Sequence, residues 1–313
     1  MKITVQDFTG IYAEQPFMQE LRAAAETSND IYWLDCTKIV GTDCYCDDEA
    51  IKKINEMINN TEKRSRIECS SIIENRGISQ LCDVSANDIA AQPTIHFFDN
   101  GNYHYMSKLW TDRIQEPFTL IVFDHHPDMQ PPRFGGILSC GGWVLEVLKS
   151  NKFIQNVIII GVKNELIETI REELTQSAEV NILDKVTFIR ESELEFLTPY
   201  LKGTWFDTFT NLSRPHTPNL YISIDKDALA PTYAATNWDQ GSLSTSALKT
   251  IIAELAANHK ILSVDICGER AHDFEGDELH SVQEADSLNN SVNHELIKFI
   301  ETLCQASNRE PQG

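Results

Sequence analysis

Short apolar runs recur along the chain and set its framework. Ile3–Val5, Ile31–Cys36, Thr94–Asp99, Phe118–Asp124, Val157–Gly161, Val186–Arg190, Asn219–Asp225 and Ile261–Ile266 are rich in β-branched, aromatic or aliphatic residues. LIVFD, VIIIG and LYISID lack the polar alternation of a half-exposed strand, so they predict strands covered on both faces. Between them, Asp47–Asn59, Trp143–Ser150, Glu165–Leu174, Thr245–Ala257 and Val292–Cys304 place apolar residues at three- and four-residue spacing, the period of a helix with one buried face. Strands alternating with helices predict an α/β fold with one parallel sheet and helices on both sides. Ligands of such sheets sit at the carboxyl ends of the strands.

No internal repeat, low-complexity tract or linker interrupts this pattern, so residues 1–313 are expected to form one catalytic domain, with 306–313 a flexible tail. Asn60–Ser85 is polar and is expected to be helices and loops packed on the sheet edge, or a mobile segment. Hydrophobic residues make up 42% and charged residues 23%. That balance suits a globular chain with a sizeable core. No apolar run approaches the roughly 20 residues that span a bilayer, and the N-terminus lacks an apolar leader. A cytoplasmic location is the expectation. The net charge of −21 disfavours nucleic acid and anionic membranes as partners and weakly favours a cationic substrate. Eight cysteines are scattered without a CxxC pair; Cys44 and Cys46 form a CxC. Reduced, partly buried thiols are expected.

The chemistry lies where two of the apolar runs end. TLIVFDHHPDMQ stops at Asp124 and continues through His125, His126 and Asp128; NLYISIDKDALAP stops at Asp225 and reaches Asp227. Residues i and i+2 of a strand point the same way. Asp225 and Asp227 therefore share a face, as do Asp124, His126 and Asp128 if the extended geometry persists. A lone Asp at a strand end is ordinarily a turn or cap residue. Two such clusters, each directly after a buried strand, are harder to explain that way. Carboxylates gathered in a partly buried place repel one another, and a divalent cation removes that penalty. Oxygen-rich sites with one or two imidazoles suit Mn, with Fe, Co or Zn as alternatives. A pair of cations lowers the pKa of a shared water. This reading requires the Asp124 and Asp225 carboxylates to lie within about 8 Å of each other, since one cation reaches ligands at ~2.3 Å.

DHHPD resembles the DAHxD motif of the arginase, agmatinase and formiminoglutamase family, and SIDKDALAP resembles its SxDxDxxDP. TNWDQGSLS is similar in placement to the family's PGTGTPxxGGLS, with most glycines missing. The resemblance runs from about Ile95 to Glu269 and is close to peptide arginases, a divergent branch. It implies a three-layer α/β/α sandwich with a mainly parallel eight-stranded sheet. It also implies two Mn2+ ions bridged by Asp124 and Asp225, with Asp128 completing one shell and His126 and Asp227 the other. The family's further His comes from a GGDHS motif that is absent here; in IHFFDNGNYHY the equivalent is His104, whereas His96 lies at the wrong end of its strand. His125 alternates with the ligands and is expected to point away. The resemblance makes Glu269, in ILSVDICGER, the guanidinium-binding carboxylate, one residue further from Asp265 than in ordinary arginases. Asp128 would orient the attacking hydroxide, and His272 or His280 would protonate the leaving amine; His216 precedes its strand and belongs at the opposite end.

Two departures bear on the substrate. The segment after DHHPD, MQPPRFGGILSCGGWV, lacks the Asn- and Ser-rich loop ending in His-Gly with which free-arginine enzymes hold an α-carboxylate; Arg133 and Ser139 are the polar candidates there. Ala230 replaces the third Asp of SxDxDxxDP. The expected activity is hydrolysis of a guanidino group, converting arginine residues of a precursor peptide to ornithine with release of urea. The alternatives are a small-molecule ureohydrolase acting on arginine, agmatine or a guanidino acid, a one-zinc deacetylase-like amidohydrolase, and a non-catalytic binding protein. Oligomeric state is left open, a homo-oligomer included.

Overall fold

The computed structural model describes residues 1–75, 93–132, 135–194, 217–277 and 279–307. Arg133, His216 and residues 76–85 of the polar segment lie outside them, as does 308–313 of the expected tail. In chain order the strands are β1 (Lys2–Asp7), β2 (Ile31–Asp35), β3 (Tyr45–Cys46), β4 (Thr94–Phe97), β5 (Phe118–Phe123), β6 (Leu138–Ser139), β7 (Ile154–Val162), β8 (Val186–Arg190), β9 (Asn219–Asp225) and β10 (Lys260–Cys267). The helices are α1 (Pro16–Ala25), α2 (Asp48–Asn75), α3 (Met106–Thr111), α4 (Trp143–Ser150), α5 (Asn164–Gln176), α6 (Glu191–Leu194), α7 (Thr245–Ala256) and α8 (Val282–Ser307).

Eight strands form one sheet in the order β2-β1-β4-β10-β9-β5-β7-β8, with every pairing parallel. These are the eight apolar runs of the sequence. The two short strands the hydrophobic pattern misses, β3 and β6, pair antiparallel as a separate ribbon. Two residues are too few to leave a periodic trace.

Successive side chains of a strand point to opposite faces, and the core divides accordingly. Ile121 and Phe123 of β5 join one apolar cluster with Leu248, Ile251 and Ile252 of α7 and Leu296, Ile297 and Ile300 of α8. Leu120 and Val122 join the other, with Ile54 and Ile58 of α2, Trp143 and Val147 of α4 and Ile167 of α5. Each such side chain contributes about 1.5–3 kcal/mol on leaving water. That burial on both faces is what makes these strands read as continuous apolar runs. No helix among the described residues is long and apolar enough to cross a membrane.

The topology positions the site. β9 and β10 come last in sequence yet insert between β4 and β5. β5 and β9 are therefore neighbours, with Phe123 opposite Ile224. The next residue of each strand line is Asp124 and Asp225, side by side on strands about 4.8 Å apart.

Candidate metal centre

Each acidic residue is delivered by a local turn. β5 ends at Phe123, and Asp124 Oδ1 accepts the His126 amide at 2.6 Å, closing a tight turn. The extended alternation does not persist to Asp128. That residue lies at φ 49°, in the left-handed region that Asp tolerates better than most residues, and the turn brings it back over the sheet edge. Asp225 Oδ1 accepts the Asp227 amide at 3.0 Å, and Asp227 Oδ1 accepts the His125 amide at 3.0 Å, which ties the two acidic segments together. Gly268 lies at φ 90°; a Cβ there would sit 2.3 Å from Asp225 Oδ1, so only glycine lets β10 approach this closely.

The six residues singled out by sequence converge. His104 Nδ1 lies 3.2 Å from Asp124 Oδ2, 3.0 Å from Asp128 Oδ2 and 3.5 Å from Asp225 Oδ2. Two carboxylate oxygens that close to one nitrogen meet the proximity requirement for Asp124 and Asp225. His126 Nδ1 lies 2.8 Å from Asp227 Oδ2 and 3.5 Å from Asp124 Oδ1. Two groups result, His104–Asp124–Asp128 and Asp124–His126–Asp227, sharing Asp124. Asp225 groups with His104 and with Cys267, a residue the sequence reading missed. Cys267 faces Asp225 in the β9–β10 register and donates its thiol to Asp225 Oδ2 at 3.2 Å. Burial and then the Asp225 charge push its pKa well up, so it acts as a donor to the carboxylate.

The donor set fits divalent cations. His104 and Asp124 are each 1% exposed, and within them His104 Nδ1 and Asp124 Oδ2 have no hydrogen-bond partner although they face one another. Buried polar atoms left this way are costly; lone pairs aimed at a common point are what an ion uses. The other nitrogen of the ring, Nε2, lies 2.9 Å from Ser223 Oγ, and Ser223 lies 2.9 Å from Ser107 Oγ, which donates to Asp265 Oδ2 at 2.7 Å. Donation from Nε2 would leave Nδ1 free to ligate, the usual outer-shell arrangement of a metal-binding His. Burial, then Asp227, raises the Asp225 pKa to about 7; burial, then Asp124, raises that of Asp227. Burial opposes protonation of His126, but Asp227 and Asp124 outweigh it and raise its pKa to about 12.

Glu269 and His272 sit apart from the six converging residues. Glu269 is 1% exposed and does not line the cavity: Lys226 donates to its Oε1, Asn293 Nδ2 donates to the same oxygen at 2.8 Å, and Gln15 Nε2 donates to Oε2 at 2.9 Å. β10 ends at Cys267, and Gly268 at positive φ follows it immediately before Glu269. Lys226, in the DKD segment, is fully buried as its counterion. His272 pairs with Asp286 at 3.1 Å and also lies off the cavity; His280 pairs with Asp277 at 3.2 Å. His96 bonds Asp265 and stacks on Trp110, away from the cluster, as its position at the strand start predicts. His125 is buried with Glu191 and Asp239 as its nearest carboxylates.

A cavity of about 250 Å3 opens over Asp124, His126, Asp128, Asp225 and Asp227. Its walls include Gln130, Trp238 and the Leu166, Thr169, Ile170 and Glu173 face of α5. A family model described as the Arginase family matches residues 104–268. The chain belongs to the arginase family. Family members are metal-dependent amidino hydrolases, and the matched span runs from His104 to the glycine after Cys267. An uncharacterised protein of Thermotoga maritima is 27% identical over 209 residues, 67% of this chain and 69% of that protein. The fold is similar to that of an agmatine ureohydrolase of Thermoplasma volcanium (TM-score 0.59, 12% identity, 98% of this chain and 92% of that one). Proclavaminate amidino hydrolase of Streptomyces clavuligerus gives 0.57 at 14% identity, with 97% and 92% covered. A Trypanosoma cruzi formiminoglutamase with Mn2+ gives 0.55 at 12%, with 98% and 94% covered.

Proposed function

We propose that this protein is a binuclear manganese hydrolase that converts arginine residues of a peptide to ornithine with release of urea. The observation that carries the reading is the convergence of unpartnered His104 Nδ1 and Asp124 Oδ2 on Asp128 and Asp225, beside the His126–Asp227 pair. His104 and Asp128 would hold one cation and His126 and Asp227 the other, with Asp124 and Asp225 near both groups. Two divalent cations supply hydroxide near neutral pH by lowering the pKa of water. Asp128 would orient the nucleophile; Trp143 Nε1 fixes that carboxylate by donating to Oδ2 at 2.7 Å.

With Glu269 neutralised by Lys226, guanidinium recognition passes to the cavity wall. Trp238, 41% exposed and 5.6 Å from the His126 ring, offers an aromatic face to a cation, and Glu173 offers a carboxylate. Among the described lining residues none is Lys or Arg. That supports a substrate whose α-carboxylate is already an amide, as within a peptide. Urea release from an arginine-containing peptide is the test, with free arginine and agmatine as comparators. Release from the peptide is expected; release only from the small molecules replaces this reading with a small-molecule ureohydrolase.

A further inference from the structure

The CxC segment is not used by the metal cluster, yet it borders the same cavity. β3 and β6 pair with Tyr45 opposite Ser139 and Cys46 opposite Leu138. One residue beyond that ladder Cys44 turns to φ 58°, and its carbonyl still accepts the Cys140 amide at 2.9 Å, which keeps the two residues adjacent. Opposed residues in a hydrogen-bonded antiparallel pair have Cα atoms about 5.5 Å apart, inside the roughly 4.4–6.8 Å that a disulfide spans. Both residues line the cavity. Their side chains hydrogen-bond each other, which lowers the pKa of Cys44 and raises that of Cys140. Among the described cysteines Cys36, Cys46, Cys140 and Cys267 are buried and Cys44 is part-exposed; of these only Cys44 and Cys140 line the cavity.

We propose that Cys44 and Cys140 form a reversible disulfide in the wall of the metal cavity, closed by exchange with a low-molecular-weight disulfide such as oxidised glutathione. The Cys44 thiolate attacks the small disulfide and releases one glutathione thiolate. Cys140 then attacks the Cys44 sulfur of the mixed disulfide, giving up its thiol proton as the S–S bond forms, and the second glutathione thiolate leaves. The protein loses two protons and two electrons, and the small disulfide gains the electrons. The bridge bears on the site through the backbone that follows Cys140. The Gly141 carbonyl accepts the Gln130 amide at 2.8 Å, the Val144 amide donates to the Asp128 carbonyl at 3.0 Å, and Trp143 holds the Asp128 carboxylate. Closing the disulfide therefore stiffens the wall that carries Asp128. Intracellular disulfides of this kind are usually redox-sensing and not structural.

The test uses the wild-type chain, treated with excess oxidised glutathione and mapped by mass spectrometry without reduction. The expected product is a Cys44–Cys140 linked peptide, two hydrogens lighter than the separate thiols and reopened by dithiothreitol. Amide exchange across residues 42–46 and 138–142 is expected to slow on the order of tenfold when the bridge closes. In Cys140→Ala no resolving thiol remains, so a glutathione adduct accumulates on Cys44. Linkage of either cysteine to a different one overturns the proposal, as does glutathione on Cys304 with no Cys44–Cys140 peptide. If Cys140→Ala does not fold, the wild-type map decides alone. The readout is a covalent mass and not urea release, so failure here and failure of the hydrolase reading are separate results.

Discussion

Ser223→Ala isolates one half of the candidate metal centre. Ser223 Oγ is the partner of His104 Nε2 at 2.9 Å, and both side chains are buried. No water can replace the hydroxyl without a cavity to hold it, so the ring loses the contact that fixes its tautomer and rotation. Removing an outer-shell partner of a ligating His costs about 10–100-fold in metal affinity, which is about 1.4–2.8 kcal/mol at ~1.4 kcal/mol per decade. Stranding a buried polar group costs a similar ~1–3 kcal/mol. The loss should be one-sided, because His126 and Asp227 make no contact with Ser223. Calorimetric titration of the metal-free protein with Mn2+ should show one site weakened within that range and the other unchanged, with a native circular dichroism spectrum. Unaltered affinity at both sites, or an equal loss at both, refutes the assignment of His104 to one ion.

Lys226→Met should destabilise the protein by about 3–5 kcal/mol in urea titration, because Glu269 would be left buried without its counterion; a change below ~1 kcal/mol would mean that Glu269 is free to turn to the cavity. Gly268→Ala places a Cβ 2.3 Å from Asp225 Oδ1 and should sharply weaken Mn2+ binding, measured by the same titration; wild-type affinity contradicts it. The raised pKa of His126, about 12, and of His104 mean that cations displace protons when they bind. Mn2+ titrations near neutral pH in buffers of different ionisation enthalpy should show net proton release and tighter binding as pH rises. In the metal-free protein the sign reverses. The stability that His126 contributes is fully present below its unfolded pKa near 6.5, then falls as pH rises toward about 12. Chemical denaturation across pH checks this.

The sheet was legible because its strands are buried on both faces; LIVFD and LYISID have no other physical reading at that length. The adjacency of Asp124 and Asp225 was not, since strand order depends on β9 and β10 inserting between β4 and β5. α8 begins ten residues earlier than the apolar spacing predicts. The missed indication is Ser281 and Glu284, which exchange backbone hydrogen bonds as a capping box. Glu269 sits off the cavity wall for a conformational reason. Gly268, at positive φ, lies between the end of β10 and Glu269, and no periodicity reports such a break. Lys226 was the available warning, since a cation between two candidate ligands needs an acidic partner when buried. Cys267 could have been found only from register.

Side chains from three separate segments are proposed to surround a pair of cations. Crystals grown with Mn2+ and measured at the manganese absorption edge test this directly. The account predicts two anomalous peaks, one beside His104 and Asp128 and one beside His126 and Asp227, with Asp124 between them. A single peak, or none near Asp124, contradicts it.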